Sequence, residues 1–291
     1  MHARAVAATT TALLGTAALL LPAPHARAGV TTRPTVIAHR GASALAPENT
    51  LAAVDKAAEL GVAWVENDVQ RTRDGELVVI HDDSLRRTTN VEEVFPDRAP
   101  WKVKDFTTAE IARLDAGSWF GPAYAGVRVP TLEQYVERVE RHHQKLLLEV
   151  KNPELYPGIE RQTLKLLGNE GWLDPWHLAD RLIVQSFSAD SVRTVHELKP
   201  GVKTGFLGTP SVTDLPEYAE FADQVNPSYS SISKGYVSAV HAFTGPHGRP
   251  VEVFTWTVND ADTTRAVAGY DVDGIITNKP DVVREALMSG A

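Results

Sequence analysis

Residues 62–81 read VAWVENDVQRTRDGELVVIH. Two runs of β-formers, Val62 to Asp68 and Leu77 to His81, flank an Asp74-Gly75 turn signal. The first run ends on Glu66 and Asp68, and the second ends on His81. Strand side chains alternate faces, so Glu66 and Asp68 point the same way. Upstream, Thr35 to His39 reads as a strand ending on His39-Arg40-Gly41. Downstream, Lys145 to Val150 reads as a strand carrying Glu149, with Lys151 directly after it. Chemistry-bearing residues thus recur at the ends of strands.

Strand-like and helix-like runs alternate through the chain. Further strand candidates are Arg181 to Ser186, Val202 to Leu207, Asp223 to Asn226, Glu252 to Val258 and Val272 to Thr277. Helical runs lie at Asn49 to Leu60, Thr131 to His143, Pro157 to Leu167, Ala189 to Leu198 and Asp262 to Ala268. Alternation of this kind builds a parallel sheet. Polar residues at many strand ends, rather than one glycine-rich crossover, favour an α/β fold of the (β/α)8 TIM-barrel type over an open doubly wound sheet. Nine candidates compete for eight places, with Asp223 to Asn226 the weakest. Ser84 to Pro130, rich in Arg, Thr, Pro and Trp, breaks the rhythm and reads as a small insertion after the third strand, at about 84–130. It holds a short helical piece at Thr107 to Leu114. No GxGxxG or GxxxxGK[ST] pattern is present, which counts against nucleotide binding.

The N-terminus has a pattern of its own. Arg4 precedes an apolar stretch from about Thr11 to Leu21, Pro22 ends it, and Ala26-Arg27-Ala28 offers small residues to a signal peptidase. The apolar run is short of the roughly 20 residues that span a bilayer. Residues 1–28 are therefore expected to be a signal peptide, removed near Ala28, leaving 29–291 as one secreted, extracellular domain without a stable membrane anchor. Residues 1–28 hold no twin-arginine pair, so the general secretory route is expected. Loss of Arg4 and Arg27 leaves 27 basic against 37 acidic residues, a net charge of −10. That balance argues against nucleic acid as a partner. The chain has no cysteine, so no disulfide supports it.

Glu66, Asp68 and Glu149 offer only oxygen ligands, a set suited to one divalent cation, Ca²⁺ or Mg²⁺, rather than zinc. An ExD pair alone could equally sit on a solvated strand end; a third carboxylate nearby would repel the others unless a cation intervened. His39 and His81 can take or give a proton near neutral pH, though a lone histidine is more often structural. Arg40 and Lys151 can hold phosphate or bridge internally to the same carboxylates. Asn49 is expected to cap the first helix, and Glu48 is left open. Trp256, Phe187 and Trp119 could line a glycerol or acyl pocket or fill space. His142 and His143 suit a helix end, whereas His177, His196, His241 and His247 show no acidic partner pattern. Together these groups suit phosphate ester chemistry.

The chain resembles the glycerophosphodiester phosphodiesterase family, within the phospholipase-C-like phosphodiesterase superfamily. The segments that carry the resemblance are His39-Arg40-Gly41, Pro47-Glu48-Asn49-Thr50, Glu66-Asn67-Asp68-Val69-Gln70, Thr72-Arg73-Asp74-Gly75, His81-Asp82, Arg87-Thr88-Thr89 and Pro130-Thr131-Leu132. Glu149-Val150-Lys151, Ser186-Phe187, Trp256-Thr257-Val258-Asn259 and Asp273-Gly274-Ile275-Ile276-Thr277 continue it. The resemblance implies a TIM barrel and hydrolysis of glycerophosphodiesters to an alcohol and glycerol 3-phosphate. It also implies a divalent metal on Glu66, Asp68 and Glu149, with His39 and His81 as the acid/base pair. Asn67 fills the variable middle position of the ExD, and Asn278 stands where the family often has Asp. Two rival functions are a lysophospholipase D acting on single-chain lysophospholipids and a secreted binding barrel without turnover. Activity on glycerophosphocholine compared with its lyso-lipid counterpart separates them.

Overall fold

The computed structural model describes residues 33–289. The expected signal peptide, residues 1–28, lies outside them. Nine strands form: β1 (Thr35–Ala38), β2 (Trp64–Arg71), β3 (Leu77–Val79), β4 (Lys145–Val150), β5 (Leu182–Ser186), β6 (Lys203–Leu207), β7 (Gln224–Asn226), β8 (Glu252–Thr255) and β9 (Gly274–Thr277). Eight run parallel in the order β1, β9, β8, β7, β6, β5, β4, β2, and pairing of β1 with β2 closes the ring. The strand left outside is β3, which pairs antiparallel with the far end of β2. The weakest candidate, β7, is a full member of the barrel.

Alternation sorts the side chains of each barrel strand. Inward-facing Ile37, Trp64, Leu147, Ile183, Phe254 and Ile276 pack together inside the ring. A Cβ at Gly274 would meet the Phe254 ring at 2.6 Å, so only glycine admits that ring. Outward-facing apolar residues meet the helices in two further clusters, one centred on β2, β4 and β5 and one on β7 to β9. The helix Leu132–Arg141 shows the logic. Leu132, Tyr135, Val136 and Val139 form its buried stripe at helical spacing, and Thr131 with Gln134 closes a capping box at its start. Tyr135 donates its hydroxyl hydrogen to the Glu66 carbonyl, fixing β2 to that helix.

The insertion has its own small core. Val78 and Ile80 from the β3 segment pack with Leu85, Val91, Val103, Phe106, Ile111 and Leu114. The helical piece expected at Thr107 to Leu114 is the single turn Thr108–Ile111, capped by Thr107 and Glu110, and a second turn forms at Val91–Val94. No helix among the described residues is long and apolar enough to cross a membrane.

Candidate active site

The polar residues gather at the C-terminal end of the ring, where this fold exposes its loops. His39 follows β1, and its N–H donates to the Thr277 carbonyl. Arg40 then takes a left-handed conformation (φ 57°), which points its own N–H at Glu66 Oε2, 2.8 Å away. Gly41 follows at φ 77°, and a Cβ there would stand 2.6 Å from the Ala53 side chain. The His-Arg-Gly run is thus a tight turn pressed against the first helix, Leu51–Glu59.

Parallel register sets Asp68 beside Glu149. Glu66, Asp68 and Glu149 bring one carboxylate oxygen each within 4.8 Å of the others, and all three are buried. Two cations answer them. Arg40 Nε lies 3.4 Å from Asp68, while Lys151 Nζ lies 2.8 Å from Glu149 and 3.7 Å from Asp68. Asn49 donates from Nδ2 to Asp68 Oδ2 at 2.8 Å. The expected helix cap is therefore corrected: Thr50 caps the helix, accepting from Ala53 N–H, and Asn49 turns to the carboxylates.

Burial and the mutual repulsion of the carboxylates push Glu66 well above the usual carboxylate range. Burial and the Asp68 charge raise Glu149 to about 8 against the pull of Lys151. Burial would raise Asp68 too, but Arg40 and Lys151 overcome it and hold Asp68 at about 2. With all three ionised, the two cations would leave one negative charge uncompensated, and that excess is what favours protons on Glu66 and Glu149 when no cation is bound. Asp68 Oδ1 also accepts no hydrogen bond. An all-oxygen cluster with a spare lone-pair oxygen could hold a divalent cation.

The two histidines are held differently. His39 Nδ1 lies 2.6 Å from Asn278 Oδ1, which also accepts from Ser43 Oγ. A carbonyl oxygen only accepts, so His39 donates from Nδ1 and Nε2 keeps its lone pair. Burial and the adjacent Arg40 charge lower its pKa to about 4, so it is neutral at pH 7. His81 Nδ1 instead faces the carboxylate of Asp82 at 2.7 Å. Burial would raise Asp82, but Arg87, donating to both its oxygens, and His81 bring it to about 2. Arg87 also makes two bonds to Glu48, at 2.7 and 2.8 Å, and Glu48 accepts from Arg40.

His39, Arg40, Glu66, His81, Glu149 and Lys151 line a single cavity. Gln185, Phe187 and Trp256 line it too, with the Lys151 ammonium 5.1 Å from the centre of the Phe187 ring. Phe187 and Trp256 meet edge to face at 5.6 Å, and the indole N–H of Trp256 donates to the Asn226 carbonyl. Trp119 lies in the insertion and does not line this cavity. His81 arrives from the antiparallel β3 hairpin rather than from a ring strand. Four of the histidines set aside do have acidic partners: Asp55 for His142, Asp174 and Glu140 for His177, Asp273 for His241, and Asp223 for His247. Asp82, Arg87 and Asn278 were missed as members of the site, and Glu48, left open by the sequence, joins it. All but Asn278 fall inside the motif segments, and Asn278 was marked only as a departure.

Residues 39–282 match the model of the glycerophosphoryl diester phosphodiesterase family. The chain belongs to that family. A glycerophosphodiester phosphodiesterase of Caldanaerobacter subterraneus is 37% identical over 258 residues, covering 88% of this chain and 98% of that protein. One from Bacillus subtilis is 35% identical over 260 residues, covering 84% of each. Among solved structures, an Oleispira antarctica phosphodiesterase in complex with the product sn-glycerol-3-phosphate superposes with a TM-score of 0.75 at 28% identity. The match covers 88% of this chain and 97% of that one. As a member of the glycerophosphoryl diester phosphodiesterase family, the chain is a phosphoric diester hydrolase with the family's TIM barrel.

Proposed function

We propose that this chain is a secreted, metal-dependent hydrolase that cleaves small glycerophosphodiesters to an alcohol and sn-glycerol 3-phosphate. The observation that carries the reading is the unlike pair of imidazoles beside the carboxylate cluster: His39 backed by a neutral amide and His81 by an ionised carboxylate. The product bound to the Oleispira relative supports the product side. Secretion rests on the pattern of residues 1–28.

His39, neutral with its Nε2 lone pair, takes the proton of the nucleophile, which is water or the neighbouring glycerol hydroxyl. His81, hydrogen-bonded to the Asp82 carboxylate, gives a proton to the departing alkoxide. Arg40 and Lys151 hold the phosphoryl oxygens, with the planar fork of Arg40 kept in place by Glu48. Glu66, Asp68 and Glu149 would hold the divalent cation, Ca²⁺ or Mg²⁺, which supplies charge neutralisation at the phosphoryl oxygens.

A second, finer reading rests on Phe187, which stands 51% exposed at the rim against Trp256. That apolar wall would receive an acyl chain in a lysophospholipase D. Phosphorus NMR of reactions with glycerophosphocholine and lysophosphatidylcholine separates the two. Rapid appearance of glycerol 3-phosphate from the short diester supports the first reading. Faster formation of lysophosphatidic acid from the lyso-lipid replaces it with the second.

A further inference from the structure

Of the seven polar residues singled out for the chemistry, His81 alone does not come from a strand of the parallel ring or the residues just beyond it. It sits past β3, and the ladder with β2 ends where the Ile80 N–H donates to the Asp68 carbonyl. Among the described residues, no main-chain N–H outside the strands donates to the carbonyls of Ile80, His81 or Asp82. One side chain reaches all three, sharing the two hydrogens of its amide among them. Gln70, fully buried near the end of β2, places Nε2 at 3.0, 2.9 and 2.6 Å from those oxygens in turn. The chain from 80 to 82 therefore curls around a single nitrogen, and that curl sets where the His81 ring leaves the backbone.

The amide has only one useful orientation, and a second residue sets it. Tyr156, buried in the segment after β4, donates its hydroxyl hydrogen to Gln70 Oε1 at 2.9 Å. With Oε1 so occupied, the NH₂ group must face the three carbonyls. The Arg87–Asp82 pair grips the turn from the solvent side. Gln70 and Tyr156 grip it from within the protein.

We propose that Gln70, oriented by Tyr156, is the positioning residue that delivers His81 to the leaving-group oxygen. The inference rests on the reading of His81 as the general acid. A structural glutamine would affect all substrates alike, whereas a device that aims an acid matters only when the leaving group needs a proton. The test compares kcat and KM for glycerophosphocholine, whose aliphatic alkoxide leaves poorly, and for the p-nitrophenyl ester of glycerol 3-phosphate, whose phenolate leaves unaided. The variants are Gln70→Met, Tyr156→Phe and, as reference, His81→Ala, each in the metal-supplied enzyme. Misplacing a reacting group by about 1 Å costs on the order of 10²-fold. Gln70→Met should therefore lower kcat on glycerophosphocholine by about tenfold or more, with KM within about twofold and the p-nitrophenyl ester slowed less than about threefold. Tyr156→Phe should show the same contrast at smaller size, and it decides the matter if Gln70→Met does not fold. Equal losses on both substrates in these variants, while His81→Ala keeps the contrast, overturn the positioning role. Equal losses in His81→Ala itself overturn the acid reading instead.

Discussion

Asn67 sits between two site carboxylates yet faces away from them, fully buried, with neither amide atom hydrogen-bonded to the protein. An unpaired buried polar group costs about 1–3 kcal/mol. Asn67→Leu, close in shape and without polar atoms, should raise stability by about 1–2 kcal/mol in urea unfolding and leave kcat unchanged. A loss of stability would mean that the amide has a partner. The histidines behave oppositely: His39→Ala and His81→Ala should each lower turnover by about 10²-fold or more while the metal still binds. Near wild-type turnover in both variants would end their assignment. The motif segments made these histidines and the carboxylates legible, because each ends or follows a strand. What held the histidines was less so. Asn278 reaches His39 across 239 positions, and no local pattern announces such a partner.

At the level of elements, nine strands were legible but the choice of eight was not. Leu77–Val79 is apolar because Leu77 and Val79 pack into the cluster between the ring and its helices while Val78 packs into the core of the insertion, and so it reads like a barrel strand. Gln224–Asn226 is polar because two of its three residues carry buried amides. Asn226 donates to Gln185, and Gln224 donates to Glu252. Hydrophobic periodicity reports burial against apolar neighbours, so it favoured the strand that lies outside the ring. The insertion connects to the barrel mouth through Arg87, which joins Asp82 to Glu48. Arg87 is 44% exposed, so Arg87→Ala should cost at most about 1 kcal/mol of stability. It removes one of the two grips on the His81 turn and should lower kcat about tenfold. Unchanged kcat would show that the grip from Gln70 suffices alone.

Across the whole molecule, the carboxylate cluster links stability to pH and to metal. Folding raises Glu66 well above 4.5 and raises Glu149 to about 8. The folded state then binds more protons than the unfolded one between those values, so stability of the metal-free protein falls as pH rises through them. Asp68 acts with the opposite sign, but only below its unfolded value of 3.8. His39, lowered from 6.5 to about 4, also acts with the opposite sign between those values, so the melting temperature in EDTA should drop chiefly between about pH 6.5 and pH 8. Ca²⁺ or Mg²⁺ should raise it more at about pH 8 than at about pH 5, because at the lower pH the cation must displace protons. Equal metal effects at the two values would place the binding elsewhere. One assay bears most directly on a metal-dependent phosphodiesterase: choline release from glycerophosphocholine, measured before EDTA, in EDTA, and after Ca²⁺ or Mg²⁺ is restored. The account predicts release that EDTA abolishes and one of the two ions restores. Full release in EDTA, or none under any condition, would contradict it.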